Sequence, residues 1–262
     1  MIENQSKIKT FAEQLIEAEI NNYKIEPFTD IDPKFSTEEA YQVQSIIIQR
    51  KLQQGRKILG KKIGLTSIAM QQLLGVEEPD YGQLLDSMMV ENEGVIPMNR
   101  VLQPKVEAEI AFVLKKDIVG PKVTLIEVLE ATNYVLPALE IVDSRIKDWR
   151  IKLPDTIADN ASSGFYVLGN NPIAIDEIDL VNERMELYKN EILMNVGIGA
   201  AALGNPAICV AWLANKMSEF GVSLKKGEVI LSGALSAAVE AKHGDYFTAS
   251  FAQLGEVSVQ FG

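Results

Sequence analysis

Two glutamates, Glu107 and Glu109, lie two residues apart in the most strand-like segment of the chain, and this pair limits how the chain can fold. Residues 105–114 are rich in β-branched and aromatic residues, which predicts a strand rather than a helix. Side chains at i and i+2 share one face of a strand, so the two carboxylates would project side by side. Because adjacent carboxylates repel each other, the fold must supply a divalent cation, a basic partner or water.

A third glutamate, Glu140, interrupts the apolar run at 135–142. If that run is a buried strand, the carboxylate needs a partner, because an isolated buried charge is costly. Three carboxylates could then form an all-oxygen site of the kind that suits Mg²⁺ or Mn²⁺. The spacing alone leaves a second interpretation equally open, in which Glu107 and Glu109 lie on the solvent face of an amphipathic strand.

Composition and charge exclude several classes of function. Of the 262 residues, 47% are hydrophobic and 23% are charged, which is typical of a soluble globular protein. The net charge of −11 argues against nucleic acid as a partner, because phosphate binding needs a basic surface. No apolar run approaches the ~20 residues that cross a bilayer, and the polar N-terminal segment predicts no signal peptide. We therefore expect a cytoplasmic protein with no membrane partner.

The only histidine and the only cysteine are poor candidates for catalysis. His243 falls in the predicted turn at 242–245, where it would be exposed, and this disfavours serine-protease-like triads and histidine-rich zinc sites. Cys209 falls in an apolar helical segment, which predicts packing rather than nucleophilic chemistry. A single cysteine also excludes an internal disulfide and suits a reducing cytoplasm.

The pattern of apolar residues predicts a helical beginning followed by a mixed remainder. Helical spacing is found at 7–22 and again at 36–54, where Ser36 is placed as the N-cap and Gly55 as the stop. We therefore predict a helical N-terminal part, 1–57, and a catalytic domain, 58–262, within one continuous unit. Further predictions are helices at 67–74, 121–133 and 207–220, strands on both sides of a turn at 189–190, and closing strands at 246–252 and 257–261.

Three other positions have ordinary interpretations when they are considered alone. Lys62 would most often be a solvated lysine at the end of a glycine-interrupted strand. Asp80, in a turn-rich loop, would cap a following turn. The small residues at 158–164 could bring a hydroxyl and backbone N–H groups to a site, or could form only a tight connection.

Five short segments occur in the order found in the hydratase/decarboxylase branch of the fumarylacetoacetate hydrolase superfamily, which this chain resembles over nearly its whole length. The segments are GKKIGLTS at 60–67, EPDYG at 78–82, PKVEAEIAF at 104–112, PALEIVDSR at 137–145 and ADNASSG at 158–164. The branch contains 2-hydroxypenta-2,4-dienoate hydratases and 4-oxalocrotonate decarboxylases. Five motifs in one order are a specific signal, so the resemblance favours the metal-site interpretation of the glutamates.

The resemblance implies a fold and a set of site residues. The fold would be α+β, with a mixed, curved, roll-like or barrel-like β-structure, surrounding helices and a helical N-terminal part. The ligands of Mg²⁺ or Mn²⁺ would be Glu107, Glu109 and Glu140. The catalytic residues would be Lys62, Asp80 and Ser162, and the substrate-binding residues would be Gly64, Leu65 and Arg145.

The resemblance also implies a reaction. A lyase of this kind adds water to the small anionic substrate 2-hydroxypenta-2,4-dienoate, through its 2-oxo-3-enoate tautomer, and yields 4-hydroxy-2-oxopentanoate in the meta-cleavage degradation of aromatic compounds. The alternative is a 4-oxalocrotonate decarboxylase, which would release CO₂ from 2-oxohex-3-enedioate with the same metal chelate. Residues 143–152 look more like the hydratases, whereas 233–239 look closer to the decarboxylases.

A third alternative is a non-catalytic protein. The resemblance implies a homo-oligomer and a possible complex with a partner enzyme of the same pathway, so the chain could act mainly as a stabilising subunit. The presence of three glutamates together with Lys62 and Asp80 argues against this, because a scaffold does not need all five.

Overall fold

Half of the α-helices in the described part of the chain precede the first strand, and the others lie between strands. The computed structural model describes residues 2–68, 71–72 and 76–262. The predicted helix at 67–74 falls largely on residues outside these ranges. Within them the α-helices are α1 Ile2–Asn21, α2 Phe28–Ile31, α3 Thr37–Gln53, α4 Leu125–Ala131, α5 Leu153–Ala158 and α6 Pro206–Ser218.

Local sequence explains where the longer helices begin. Ser36 caps α3: its hydroxyl accepts from the N–H of Glu39, and the Glu39 carboxylate accepts from the N–H of Ser36. Asn205 caps α6, and Pro206 occupies the first turn, where a missing N–H costs nothing. The predicted helices at 7–22, 36–54 and 207–220 are thus confirmed, with ends shifted by a few residues. No helix in the described ranges has the length and apolarity that crossing a bilayer requires.

Two mixed sheets form the body of the protein. Their strands are β1 Ile58–Gly64, β2 Asp80–Leu85, β3 Met89–Val90, β4 Gly94–Ile96, β5 Lys105–Leu114, β6 Thr132–Val142, β7 Ser163–Leu168, β8 Ile173–Ala174, β9 Arg184–Lys189, β10 Ile192–Ile198, β11 Val229–Leu231, β12 Val239–Glu240, β13 Tyr246–Phe251 and β14 Gly255–Phe261. Among the described residues, the larger sheet has the order β2-β1-β11-β5-β6-β7-β3, with β12 on β5 and β8 on β6. The smaller sheet has the order β10-β9-β13-β14-β4.

One predicted boundary is wrong. The helix predicted at 121–133 is only the short α4, and Thr132 already begins β6. Thr124 caps α4 through Glu127, so the helix cannot start earlier without losing this cap. The Thr132 hydroxyl donates to the carbonyl of Val128, and β6 continues from that point as a strand of eleven residues. β6 therefore pairs with β5 along its whole length, from Thr132 opposite Leu114 to Val142 opposite Lys105.

The N-terminal helices pack on the segment that follows β6. Phe11 of α1 stacks on Phe28 with ring centroids 4.0 Å apart, and this cluster also buries Ile146 and Ile157. Helices α1 to α3 all precede β1. The division into a helical part, 1–57, and a catalytic domain, 58–262, stays a prediction.

Candidate active site and metal centre

The glutamate cluster, defined as Glu107, Glu109 and Glu140, forms where β5 pairs with β6. The antiparallel register places Glu107 directly opposite Glu140, and Glu109 follows on the same face. Carboxylate oxygens of the three residues lie within 4.8 Å of one another. Glu109 and Glu140 are fully buried and Glu107 is half-buried. The predicted shared face is confirmed, and the solvent-face interpretation is wrong.

The residues on the opposite face of β5 explain why that face, and not the glutamate face, packs in the hydrophobic core. Val106, Ala108 and Ile110 are fully buried in the main hydrophobic core. A slip of one residue in the register would move these side chains to the cluster face and the glutamates into the core. The alternation of apolar and acidic residues therefore fixes which way the carboxylates point.

The cluster has more buried oxygen atoms than the protein has donors for them. The backbone N–H of Gly233 donates to Glu109 Oε2 at 2.7 Å. Among the described residues, the other oxygen of Glu109 and Oε2 of Glu140 have no hydrogen-bond donor, and Oε1 of Glu140 has only the ammonium of Lys62, 3.2 Å away. Buried carboxylate oxygens without donors are costly, and an oxygen-preferring divalent cation is a ligand that would satisfy them. The residues present therefore fit Mg²⁺ or Mn²⁺.

The electrostatics agree with this geometry. Burial, and then the charge of Glu140, raise the pKa of Glu107 to about 7. Burial and the neighbouring carboxylates raise the pKa of Glu109 well above that of a free glutamate. Mutual repulsion of this kind is relieved when a cation binds between the groups.

Lys62 and Asp80 join the cluster from the neighbouring strands β1 and β2. Lys62 Nζ lies 3.2 Å from Glu140 Oε1 and donates to the carbonyl of Ala161 at 3.2 Å. Both side chains are buried, with 3% of Lys62 and 1% of Asp80 exposed. The interpretations of Lys62 as a solvated lysine and of Asp80 as a turn cap are therefore wrong; Asp80 is the first residue of β2, paired with Gly64.

The protonation of this pair is set by its surroundings. Burial alone would lower the pKa of Lys62, but the carboxylates of Glu140 and Asp80 outweigh it and raise the pKa above that of a free lysine. Burial raises the pKa of Asp80, although the charge of Lys62 opposes the shift. A cation bound on the glutamates would act on Lys62 in the opposite direction, because like charges disfavour the ammonium form.

Gly64 allows Asp80 and Lys62 to approach each other. A Cβ at this position would lie 2.1 Å from Asp80 Oδ1 and 3.3 Å from Lys62 Nζ. Leu65 follows with a φ of 57°, a left-handed conformation that turns the chain away from β1. Both residues line the same cavity as Lys62 and Asp80.

Ser162 belongs to a loop, residues 159–163, which we call the serine loop. Asn160, Ala161 and Ser162 have φ values of 54°, 51° and 52°, so three consecutive residues lie in the left-handed region that L-amino acids usually avoid. This turn directs the carbonyl of Ala161 toward Lys62. The Ser162 hydroxyl lies 3.1 Å from that of Thr156 and borders the cavity.

Arg145 is not part of this cavity. Its Nε forms an ion pair with Asp159, and its Nη atoms donate to the carbonyls of Ser163, at 3.1 Å, and Asp159, at 2.8 Å. Its exposed edge borders a separate cavity beside Glu19 and Lys51. The expected contact between Arg145 and substrate is therefore corrected: the guanidinium faces the serine loop because the buried Asp159 carboxylate and two loop carbonyls require its donors.

The cavity over the cluster has a volume of about 290 Å³. Among the lining residues that were not predicted as site residues are Lys105, Trp149, Thr156 and Ala238. The alternation rule applied to β5 could have found Lys105, because it lies two residues before Glu107 on the same face. No such signal existed for the other three, which reach the cavity through loops and pairing partners distant in sequence. Of the residues set aside from the sequence, His243 is exposed and Cys209 is buried, both as predicted.

Taken together, the arrangement can hold an anionic ligand against a cation and exchange protons with it. Three carboxylates, two of them fully buried, are grouped together, and Glu107 lines one cavity with a lysine, an aspartate and a serine. Proton transfer requires donors and acceptors within hydrogen-bond reach of the reacting atoms, and these groups are so placed around one small volume.

Comparison with known proteins finds a matching family and several similar enzymes. Residues 68–261 match the family described as Fumarylacetoacetate (FAA) hydrolase C-terminal. A 2-keto-4-pentenoate hydratase of Paraburkholderia xenovorans is 48% identical over 250 residues, 95% of this chain and 93% of that protein. A 2-hydroxyhexa-2,4-dienoate hydratase of Comamonas testosteroni is 43% identical over 256 residues, 97% of each chain.

A solved structure matches the fold over nearly its full length. The 4-oxalocrotonate decarboxylase of Pseudomonas putida G7, complexed with magnesium and adipate, superposes with a TM-score of 0.96 at 37% identity, and the match covers 98% of both chains. The expected mixed architecture, with a curled sheet and surrounding helices, is confirmed.

Proposed function

The chain belongs to the fumarylacetoacetate hydrolase family and is a lyase, and on that premise we propose that it hydrates a short 2-hydroxy-2,4-dienoate in a metal-dependent reaction. The substrate that we favour is 2-hydroxypenta-2,4-dienoate, and the product would be 4-hydroxy-2-oxopentanoate. One observation carries the proposal: three glutamates have oxygens within 4.8 Å of one another, and one of them, Glu107, lines a cavity together with Lys62 and Asp80. The names of the relatives support the choice of hydration.

Glu107, Glu109 and Glu140 would hold the metal, which we expect to be Mg²⁺ or Mn²⁺. When bound, such an ion would ligate the carboxylate and 2-oxygen of the substrate and stabilise negative charge on that oxygen. Gly233 keeps one Glu109 oxygen oriented through its N–H, so the carboxylate cannot rotate freely.

Lys62 and Asp80 would carry the protons. Conversion of the dienol to the 2-oxo-3-enoate removes the proton of the 2-hydroxyl and adds one at C5. Addition of water at C4 then releases one proton from the water and adds one at C3, so the two steps together consume one water. Lys62 is held in its protonated form by neighbouring carboxylates, and burial favours a proton on Asp80. Both groups would therefore be proton donors, and each could accept a proton from the substrate or from water once it has given up its own.

A second candidate function is the decarboxylation of 2-oxohex-3-enedioate. The match to a decarboxylase with a TM-score of 0.96 favours it, and so does the presence of two lysines, Lys105 and Lys152, in the cavity lining. Loss of the distal carboxylate as CO₂ would leave a dienolate, whose charge the same site would stabilise. The two reactions differ only in what the far end of the cavity must accept.

An ultraviolet assay with Mg²⁺ or Mn²⁺ separates the candidates. 2-Hydroxypenta-2,4-dienoate and 2-oxohex-3-enedioate are offered separately, and the products are identified. We expect loss of the first compound with formation of 4-hydroxy-2-oxopentanoate. If only the second compound reacts and CO₂ is released, the proposal of hydration is wrong and decarboxylation is the function. Activity on neither compound would refute both candidate functions.

Replacement of Lys62 tests the proton-transfer role. Lys62→Met should lower turnover by about 10²-fold while Mg²⁺ still raises the melting temperature, because the three glutamates remain. The matched control is Lys61→Met: Lys61 is the adjacent buried lysine, paired with Glu228 at 2.6 Å, and its loss should leave turnover close to that of the unmodified chain. A fully active Lys62→Met variant would remove Lys62 from the mechanism.

A further inference from the structure

One edge of the smaller sheet carries an apolar surface that the candidate site does not use. β10 is a terminal strand of this sheet in the described part of the chain. Between 38% and 66% of each of its larger apolar side chains is exposed, and these are Ile192, Leu193, Met194, Val196 and Ile198. Neighbouring apolar side chains left in water are unfavourable, and such patches mark surfaces that another molecule covers.

The apolar character of the outer face is confined to β10. Val196 lies in a cross-strand row with Glu186 of β9, Ser250 of β13 and Glu256 of β14. The three other members of the row are polar, and the Ser250 hydroxyl donates to the Glu256 carboxylate. A sheet face that meets water is normally polar along its strands, so this face is suited to solvent except at β10.

The inner side of β10 is already covered by the chain itself. A Cβ at Gly197 would lie 2.4 Å from the carbonyl oxygen of Leu235, and the Asn195 side chain donates to the carbonyl of Ala237 at 2.7 Å. The pairing of β10 with β9 is regular from Asn195 to Ile198, after a register shift beside Leu193. The available surface is therefore the outer edge of the strand with the alternate side chains of Met194, Val196 and Ile198.

Among the described strands, the other terminal strands of the two sheets are protected from pairing. β3 has two residues, and β4 has three and is followed by Pro97. The edge of β2 is covered, because the Asn160 side chain exchanges hydrogen bonds with the backbone of Gln83. β10 has seven residues, no proline and no charged side chain. Short strands, prolines and charges prevent association at sheet edges, so β10 is an edge that can accept another strand.

The distribution of charge indicates a second copy of the chain as the partner. Each copy has a net charge of −11, so two copies repel each other on approach. Residues 192–205 contain no charged side chain, and β10 can therefore meet β10 without placing like charges opposite each other. A two-fold axis at Val196 would place Met194 of one copy opposite Ile198 of the other, which makes the contact apolar on both sides.

We propose that β10 is an interface between two copies of this chain, in which the two strands pair in antiparallel orientation about Val196 and join the two smaller sheets into one continuous sheet. The inference goes beyond the proposed function and does not depend on it, because no residue of β10 lines the cavity over the glutamate cluster.

Analytical ultracentrifugation of the full chain tests the inference. The unmodified chain should sediment at micromolar concentration with at least twice its mass of 28.9 kDa. Met194→Glu combined with Ile198→Glu would place like charges opposite each other and should at least halve the mass of the assembly. Met194→Lys combined with Ile198→Glu would place opposite charges there, and should associate about tenfold more tightly than the doubly acidic variant.

The matched control is Ile126→Lys, at a residue of α4 that is 65% exposed, and it should keep the mass of the unmodified assembly. Cooperative thermal unfolding, followed by circular dichroism, shows whether each variant is folded. If the doubly acidic variant is unfolded, Val196→Lys replaces it, because a charge on the two-fold axis would face its own copy.

Three results would overturn the inference. An unmodified chain that sediments as a single copy would refute the interface, and this is the result expected if β10 accepts a strand of a different protein. A folded, doubly acidic variant that keeps the full mass would also refute the interface. Equal association of the two double variants would show that Met194 and Ile198 do not face each other, which would refute the antiparallel pairing.

Discussion

The glutamate cluster and the serine loop border the same cavity but are built in opposite ways. The cluster lies on regular strands, where the pairing of β5 with β6 and the alternation of side chains place every carboxylate. The serine loop is irregular, with three successive left-handed residues, and is held by side chains from elsewhere. Arg145 binds its two ends, and the Asn160 side chain exchanges hydrogen bonds with the backbone of Gln83 in β2.

The two regions carry unfavourable free energy of different kinds. In the cluster the backbone is relaxed and the cost is electrostatic, because buried carboxylates lie together without enough donors. In the serine loop the charges are paired, as Arg145 with Asp159, and the cost is in backbone conformation. Metal binding should therefore depend on the cluster alone, whereas the rate of proton transfer should depend on both regions.

The substitution with the largest expected effect, Glu109→Gln, removes a charged ligand from the cluster and leaves the serine loop unchanged. Glu109→Gln keeps the shape of the side chain and an oxygen for the Gly233 N–H but removes one ligand charge. We expect turnover to fall about 10³-fold, because several kcal/mol of charge stabilisation by the metal are lost, and the rise in melting temperature with Mg²⁺ to disappear. Without metal the variant should be at least as stable as the unmodified chain, since a buried repulsion is removed.

The control for that variant is Glu130→Gln, at an exposed glutamate near Lys116 on the surface. It should retain both the activity and the Mg²⁺-dependent melting shift. A Glu109→Gln protein that is stabilised by Mg²⁺ as strongly as the unmodified chain would show that the cluster is not the metal centre.

The next expected effect is on the pH dependence of stability, which measures the electrostatic repulsion within the cluster. The pKa of Glu107 is raised from 4.5 to about 7 in the folded chain, so between these values the folded state binds more protons than the unfolded state. The free energy of unfolding in the presence of a chelator should therefore fall as pH rises through this window, by up to about 3 kcal/mol and by less to the extent that solvent reaches the half-buried carboxylate. Urea denaturation near pH 5 and near pH 7.5 measures it.

Glu107→Gln should flatten this pH dependence, because the titrating group is gone, and excess Mg²⁺ should reduce it, because the metal favours the ionised glutamates. A stability that rises with pH across the same window would show that other carboxylates dominate and that the cluster is not under electrostatic strain.

The substitution with the smallest expected effect, Arg145→Lys, removes contacts that hold the serine loop and leaves the cluster intact. Arg145→Lys keeps the charge opposite Asp159 but loses the planar fork that also reaches the carbonyls of Ser163 and Asp159. We expect kcat to fall about tenfold with little change in KM, through misplacement of Ser162 and of the Ala161 carbonyl, and the Mg²⁺-dependent melting shift to be preserved. Arg150→Lys, at an exposed arginine paired with Asp30 at 3.2 Å, is the matched control. Equal losses of metal affinity and turnover in Arg145→Lys would contradict the separation of the two regions.

Much of the cluster was predictable from local sequence. The acidic and apolar residues of 105–114 alternate, so one face of β5 had to carry both glutamates, and the apolar run around Glu140 indicated a buried strand. The start of α3 followed from Ser36 and Glu39. Local sequence did not distinguish a metal site from a solvent-exposed strand face. The ordered motifs of the family favoured the metal site and indicated Lys62, Asp80 and Ser162 as further site residues.

The errors share one physical cause. Asp80 and Lys62 considered alone indicated a turn cap and a solvated lysine, yet both are buried because β2 and β1 belong to the same sheet as β5 and β6, in the order β2-β1-β11-β5-β6. Arg145 was expected at the substrate, yet it faces Asp159, fourteen residues further along the chain. In each case the partner is distant in sequence, and its identity depends on strand order and loop closure rather than on neighbouring residues.

The sequence by itself determined which side chains share a face, since side-chain alternation is a property of the strand. It thereby placed Lys105, Glu107 and Glu109 in one row before any partner was known. The tertiary structure decided which groups meet that row. Glu140 meets it through the register of β5 and β6, Lys62 through β1, which β11 separates from β5, and Trp149 through a turn whose indole N–H donates to Gln103. Register and loop closure are set by the packing of the whole core, and no local pattern contains that information.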